Sequence, residues 1–178
     1  MNLTPAQSIE QGRMHPLQWL AVALTIGLNA LDGFDVLSSA FAGPGIKAEW
    51  SLGPDGLGWV QSMELIGMGF GSVLLGGMAD KLGRRPTMLA CLMLMATGMF
   101  LAMHAQSPQY LSAWRFMTGI GIGGMLAAIN AVAAEYSSLK SRSFAMALMV
   151  IGYPLGAFVG GLISQMLMQG HDWRIVFQ

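Results

Sequence analysis

Five long apolar runs, separated by short polar or Gly/Pro-rich connections, set the pattern of this chain: residues 17–41, 57–79, 86–105, 109–135 and 143–168. Each has the length that a helix needs to cross bilayer hydrocarbon, about 20 mostly apolar residues. The connections carry turn chemistry, namely Gly53-Pro54-Asp55-Gly56, Gly83-Arg84-Arg85-Pro86, Ser107-Pro108 and Gly170-His171-Asp172, so successive helices are predicted to be antiparallel neighbours. A final run, Arg174-Ile175-Val176-Phe177-Gln178, opens as an aromatic and apolar segment too short to span, and reads as the entrance to a sixth helix. The expected fold class is an all-α integral membrane bundle with residues 1–16 as a tail and 17–178 as one helical unit, a piece of a longer protein.

Composition agrees with that pattern. The chain is 54% hydrophobic and only 10% charged, against roughly a quarter charged in soluble domains. Its formal net charge of zero argues against a nucleic-acid partner or a polybasic surface anchor. Cys91 is the only cysteine, which excludes an internal disulfide and a cysteine-based metal site, and is expected to pack as a small apolar residue. Ala40-Phe41-Ala42 resembles a signal-peptidase site, but the preceding run is too long, holds two aspartates and is followed by further apolar segments.

The few charges are informative by position. Arg13, then Lys81, Arg84 and Arg85, then Lys140 and Arg142 fall on one side of the predicted spans, while Lys47 and Arg174 fall on the other. Because cytoplasmic loops accumulate Lys and Arg, the N-terminus is expected to be cytoplasmic in a multi-pass protein of the cell (inner or plasma) membrane. Trp19, Trp50, Trp59, Tyr110, Trp114 and Trp173 lie near span ends, as interfacial aromatics do. His15, His104 and His171 also lie near ends and lack metal-ligand spacing, so a solvated or structural role is expected.

Within the spans, Asp32 and Asp35 stand one turn apart in Leu31-Asp32-Gly33-Phe34-Asp35. An ionisable group in lipid is costly and faces a bundle interior or a water path, which makes the pair a candidate for ion or proton traffic. With a rise of about 1.5 Å per residue, Asp35 in the first helix, Glu64 in the second and Arg115 in the fourth come to one level. Asp32 lies a turn deeper on the face of Asp35 and Asn29. If Arg115 meets the aspartate pair in one conformation and leaves it in another, proton affinity follows conformation, which is the requirement for proton coupling. The alternative is a static ion-pair network that fixes helix register, and Glu64 has the further alternative of reaching outer headgroups.

A second charged level lies in Gly76-Gly77-Met78-Ala79-Asp80-Lys81-Leu82-Gly83-Arg84-Arg85-Pro86, with Glu135, Lys140 and Arg142 at the next turn on that side. Gly76, Asp80, Gly83, Arg84, Arg85, Glu135 and Arg142 are candidates for a cytoplasmic gate, against the plainer reading of positive-inside topology with surface ion pairs. The 24 glycines cluster in the apolar runs, with Gly67 and Gly71 sharing a face, Gly152, Gly156 and Gly160 sharing another, and Gly119, Gly121, Gly123 and Gly124 thinning the fourth helix. Tight helix contact is the preferred reading over a direct substrate role. Pro154 is expected to kink the fifth helix, and the 16 methionines to fill irregular gaps without implying a cofactor. No nucleophile, base and metal constellation occurs at a shared depth, so an enzyme is not expected.

The Gly76–Pro86 loop resembles the signature between helices two and three of the major facilitator superfamily, and Arg115 followed by Gly119, Gly121 and Gly123 resembles that superfamily's helix-four pattern. Asp32-Gly33-Phe34-Asp35 narrows the resemblance to the aromatic acid:proton symporter family. The resemblance implies a twelve-helix transporter of two six-helix halves built from inverted repeats, of which this chain is most of the N-terminal, major-facilitator-type bundle and lacks the C-terminal half. It also implies that Asp32 and Asp35 carry proton coupling and transport, that Arg115 completes the charge pathway, and that Asp80, Arg84 and Arg85 govern the gate. The substrate would be a small aromatic acid or other organic anion, with the proton as coupling ion and no other cofactor. Gly152-Tyr153-Pro154-Leu155-Gly156 departs from the antiporter pattern of adjacent Gly-Pro, which weighs against efflux. The alternatives are proton-coupled efflux or uptake of another organic solute, and a nontransporting membrane scaffold or sensor.

Overall fold

In the computed structural model, residues 14–177 are described, so Arg13 and the rest of 1–13, and Gln178, lie outside the described residues. Pro16 opens helix α1 (Pro16–Phe41) at a position where its missing N–H is no loss, and His15 caps the end by accepting from the Leu17 amide. Gln18 returns the contact through its side chain to the His15 amide at 2.7 Å. The remaining elements are α2 (Gly43–Trp50), α3 (Pro54–Leu82), α4 (Arg84–Met103), α5 (Pro108–Tyr136), α6 (Arg142–Met168) and a 3-10 turn at Trp173–Phe177. Among the described residues five helices, with α2 continuing α1, are long and apolar enough to cross a membrane.

Two connections differ from the expected turns. Gly53-Pro54-Asp55-Gly56 is mostly helix, because Pro54 suits a first helical position and Gly53 stays extended before it. Gly83-Arg84-Arg85-Pro86 reduces to one non-helical residue: Gly83 has φ +98°, which glycine tolerates without a Cβ clash, and the helix resumes at Arg84. The Gly83 amide donates to Ala79 O at 3.1 Å and the Gly83 carbonyl accepts from the Thr87 hydroxyl at 3.0 Å, so the reversal leaves few backbone groups unmatched. Helix α2 was not expected at all. Pro44 interrupts the helical ladder just after Phe41, yet Ala42 keeps helical angles and the chain starts a new helix at once.

Helix α5 is central, packing against α3 and α4 most extensively and also meeting α1 and α6. Glycine makes the α3/α5 contact: a Cβ on Gly67 or Gly71 would collide with the main chain at Phe116 or Ile120, and one on Gly119 or Gly123 with that at Glu64 or Met68. The α1/α6 contact repeats the device, since a Cβ on Gly33 would strike Tyr153 O and one on Gly156 would strike Ala30 O. Between bilayer-embedded helices, where lipid is as apolar as Leu, such backbone approach supplies the packing attraction. Cys91 is fully buried and packs with Ile122, Met125 and Met149, as a small apolar residue would.

The outward surface is apolar. Phe70, Val73 and Leu74 on α3, and Phe158, Val159 and Met166 on α6, are each at least half exposed. A water-facing surface of that kind would associate, whereas lipid solvates it. With the five spanning helices, this is a multi-pass membrane protein. The Trp173 end is closed differently from the expectation of interfacial aromatics: Trp173, Val176 and Phe177 are buried beside Ile46, Val60 and Leu111.

Candidate functional site

The buried face of α1 carries Asn29, Asp32, Gly33 and Asp35, and it meets α3, α5 and α6 in the bundle interior. Asn29 is held by donating its side-chain amide to Met149 O at 2.7 Å. One turn on, Asp32 is fully buried, and neither carboxylate oxygen has a hydrogen-bond partner among the described residues. Asp35 is 8% exposed. The close approach of Gly33 to Tyr153 O brings the α6 main chain up against the turn that carries both acids.

Arg115 reaches this level from α5 and is fully buried. Its Nη2 donates to the Glu64 carboxylate from α3 and to the main-chain oxygen of Asp35 at 2.6 Å. Its Nη1 lies 3.2 Å from Met99 Sδ, and the Phe177 ring centroid lies 5.6 Å from its Cζ, within cation–π range. Asp35, Glu64 and Arg115 thus share a level, as their depths in sequence predict, but the pairing differs from expectation. Among the described residues Arg115 forms no ion pair with either aspartate; its partner is Glu64, which is 1% exposed and does not reach headgroups. Helix geometry supplies the reason. Side chains tilt toward the helix N-terminus while carbonyls point toward the C-terminus, so a cation arriving on the C-terminal side of Asp35 meets its carbonyl and not its carboxylate.

At the opposite end, Arg84 bridges two helices. Its Nη1 donates to Asp80 Oδ1 at 2.7 Å and its Nη2 to Glu135 Oε1 at 2.8 Å, so the first residue of α4 ties the last turns of α3 and α5. Gly83 provides the reversal that places Asp80 and Arg84 four residues apart on facing sides of the link, and Gly76 packs against Ala127 of α5. Arg85 does not join this cluster: it is exposed and has no ion-pair partner among the described residues. Adjacent helical residues point about 100° apart, so Arg84 and Arg85 cannot serve one bridge. Arg142 begins α6.

One ionic cluster was not expected from the sequence. Arg174 grips Glu49 of α2 through both terminal nitrogens at 2.7 Å, and also bonds Asp172 and Ala105 O. Trp173 Nε1 donates to the same Glu49 carboxylate at 2.6 Å. Glu49's hydrogen bonds hold the Arg174 guanidinium above its ordinary value. The signal available was the run Ile46-Lys47-Ala48-Glu49-Trp50 behind a Pro at a first helical turn, with Arg174 assigned to the same side. His104 and His171 contact the carbonyls of Phe100 and Leu167, a structural use.

No group of three or more His, Cys, Asp or Glu positioned for a metal occurs among the described residues. What the arrangement does offer chemically is a buried carboxylate without a hydrogen-bond partner among the described residues, a second carboxylate one turn away, and a buried guanidinium with a carboxylate of its own.

The chain is 30% identical over 176 residues to a benzoate transport protein of Acinetobacter baylyi, covering 96% of this chain and 38% of that protein. It is 31% identical over 161 residues to a 4-hydroxybenzoate transporter of Pseudomonas aeruginosa, covering 90% and 36% respectively. A gallate transporter of Pseudomonas putida is 30% identical over 159 residues, covering 89% and 35%. The chain therefore spans a little over a third of the length of these relatives. The family model described as Major Facilitator Superfamily matches residues 22–178. That match covers the helix-linking Asp80–Arg84–Glu135 bridge and the glycine-packed α3/α5 pair, and the chain belongs to the Major Facilitator Superfamily.

Proposed function

We propose that this chain supplies the proton-coupling helices of a symporter that imports a small aromatic carboxylate by alternating access. The observation that carries the reading is Asp32, fully buried with neither oxygen hydrogen-bonded among the described residues, one turn from Asp35 on the face that meets α6. A buried charge with no partner is expensive, and a proton removes that charge without any other rearrangement. Binding a proton at Asp32 therefore favours states in which the site is closed. Arg115 and Glu64 are a charge-balanced pair beside it, and an arriving organic anion competes with Glu64 for the guanidinium. Proton and anion then enter together, and the pair crosses with less net charge than the anion alone. The names of the relatives, which transport benzoate, 4-hydroxybenzoate and gallate, support the substrate class.

On this reading the Asp80–Arg84–Glu135 bridge is a gate at the cytoplasmic face, with the N-terminus on the same side of the inner or plasma membrane. In proteoliposomes holding a full-length transporter that carries this segment, an imposed inward proton gradient drives accumulation of labelled benzoate or 4-hydroxybenzoate. Asp32→Asn abolishes accumulation while leaving the protein folded, because a neutral isostere needs no counter-charge. Accumulation retained by Asp32→Asn would remove Asp32 from the coupling path. Competition between labelled benzoate and unlabelled niacin reads how wide that substrate class is, since a niacin transporter of Acinetobacter baylyi is 29% identical over 173 residues and niacin is itself a small aromatic carboxylate.

A further inference from the structure

Asn29 is a polar side chain of the buried α1 face to which the charge arrangement gives no role. It sits three residues before Asp32, so the two share a face with Cβ atoms about 5–6 Å apart. Helical side chains lean toward the N-terminus, and Asp32 therefore leans toward Asn29. Asn29 is 4% and Asp32 0% exposed, enclosed by this chain's own helices, so further helices of a longer protein leave that burial in place.

The direction of the Asn29 amide is fixed. Its nitrogen donates to Met149 O of α6 at 2.7 Å, a bond the amide oxygen cannot make, because two acceptors do not pair. The oxygen is left as the free end, and it accepts no hydrogen bond among the described residues. One turn on, both Asp32 oxygens also lack a partner there, so the Asn29 nitrogen does not serve the carboxylate. Acceptors stand on both residues with no donor between them. A proton on Asp32 supplies that donor, since a carboxylic acid has an O–H and a carboxylate has none.

The other groups near Asp32 fit that proton less well. Asp35 on α1, Cys91 from α4 and Tyr153 from α6 lie within electrostatic range of it. Asp35 is a like charge, and Cys91, packed with Ile122, Met125 and Met149, offers only a weak sulfur acceptor. Glu64 from α3 and Arg115 from α5 are engaged with each other at the level of Asp35. The Tyr153 hydroxyl, which has no hydrogen bond among the described residues, is the competing acceptor. Asn29 has the advantage of fixed register on the same helix and of an amide pinned by its own bond to α6.

We propose that Asn29 is the positioning residue for the coupling proton: its side-chain oxygen accepts the O–H of protonated Asp32 and offers the carboxylate nothing. This rests on the reading of Asp32 as the proton acceptor, and adds how the neutral form is held. Because the same amide bonds Met149 O, the proton joins a chain of hydrogen bonds from α1 to α6, in which each bond polarises the next.

Infrared spectroscopy of the purified chain in detergent, titrated with pH, reads a protonated carboxyl through its C=O stretch. In the unmodified chain the expected result is a band that Asp32→Asn removes. Asn29→Val moves that band to higher frequency and makes it disappear about one pH unit lower, the tenfold loss of proton affinity that one hydrogen bond accounts for. Asn29→Thr, which has the shape of valine with a hydroxyl acceptor, restores most of both. Asn29→Ala removes the same oxygen without a branched side chain and replaces Asn29→Val if size-exclusion chromatography shows that variant unfolded. A band unmoved in either variant, with only thermal stability lowered, would overturn the proposal by showing that Asn29 just ties α1 to α6, and would leave Asp32 as the proton acceptor. Equal shifts in Asn29→Val and Asn29→Thr would overturn it in favour of packing, and a shift in Tyr153→Phe but not in Asn29→Val in favour of the phenol. If Asp32→Asn removes no band at any pH, the proton-acceptor reading fails and takes this proposal with it.

Discussion

Two of the arginine bridges, at Arg115 and at Arg84, use the same chemistry in opposite surroundings. Each holds a guanidinium across α3, α5 and a third helix, Arg84 between two carboxylates and Arg115 between one carboxylate and the Asp35 carbonyl, but the Arg115 and Glu64 side chains are at most 2% exposed, whereas those of Arg84, Glu135 and Asp80 are 27%, 51% and 69% exposed. An exposed pair gains little over its hydrated parts, typically ~0–1 kcal/mol, and forms and breaks readily. A buried pair is repaid for its desolvation only while both partners remain, so removing one leaves an uncompensated charge. The difference suits the proposed roles. A gate has to open in each cycle, while a charge pair beside the substrate path has to stay matched until another anion replaces its partner.

The largest effect that would break this contrast is at Arg115. Arg115→Leu strands Glu64 in the interior, and a loss of about 3–5 kcal/mol is expected, read as a fall in the unfolding midpoint of the purified chain in detergent. The double variant Arg115→Leu, Glu64→Leu should recover much of that loss, since no lone charge remains. A double variant as unstable as the single one would show that packing, and not charge, dominates there.

Next comes Gly119, whose added Cβ would press on the Glu64 main chain. Gly119→Ala should cost about 1–3 kcal/mol by the same unfolding measurement. Gly77→Ala serves as the internal control, since nothing lies within 4 Å of its Cβ position. There the change should be neutral or slightly stabilising, by up to about 1 kcal/mol, through helix propensity.

Arg84→Gln gives the smallest effect on stability, within about 1 kcal/mol. The same comparison can be sharpened with salt. At an ionic strength near 1 M the screening length falls to about 3 Å, so the difference between wild type and Arg84→Gln should vanish while that between wild type and Arg115→Leu persists. If both differences respond equally to salt, the burial contrast is not what separates the two bridges.

Much of the fold was legible because it depends on local quantities. Hydropathy over twenty residues locates a span, and a rise per residue locates Asp35, Glu64 and Arg115 at one depth. The glycine faces at Gly67 and Gly71, and at Gly152 and Gly156, were visible as spacing and became main-chain contacts. Helix α2 was not visible, because Gly43-Pro44-Gly45 reads as a turn when considered alone, and only the packing of Ile46 into the core selects the helix.

Which charges pair was decided above the level of sequence. Depth is an axial coordinate that the chain length carries, but partner choice depends on rotation about each helix axis and on which atom of a residue faces the incoming side chain. That is why Arg115 was placed at the right level and yet takes Glu64 and the Asp35 carbonyl in place of the aspartate carboxylates. It is also why neighbours Arg84 and Arg85 diverge, one into a bridge and one outside it. Glu49 and Arg174 show the same limit across 125 residues of chain. The sequence by itself determined the spans, their small-residue faces and the depth of each ionisable group; the tertiary structure decided the azimuth of each helix, and with it the ion pairs and the lack of a hydrogen-bond partner for Asp32 among the described residues.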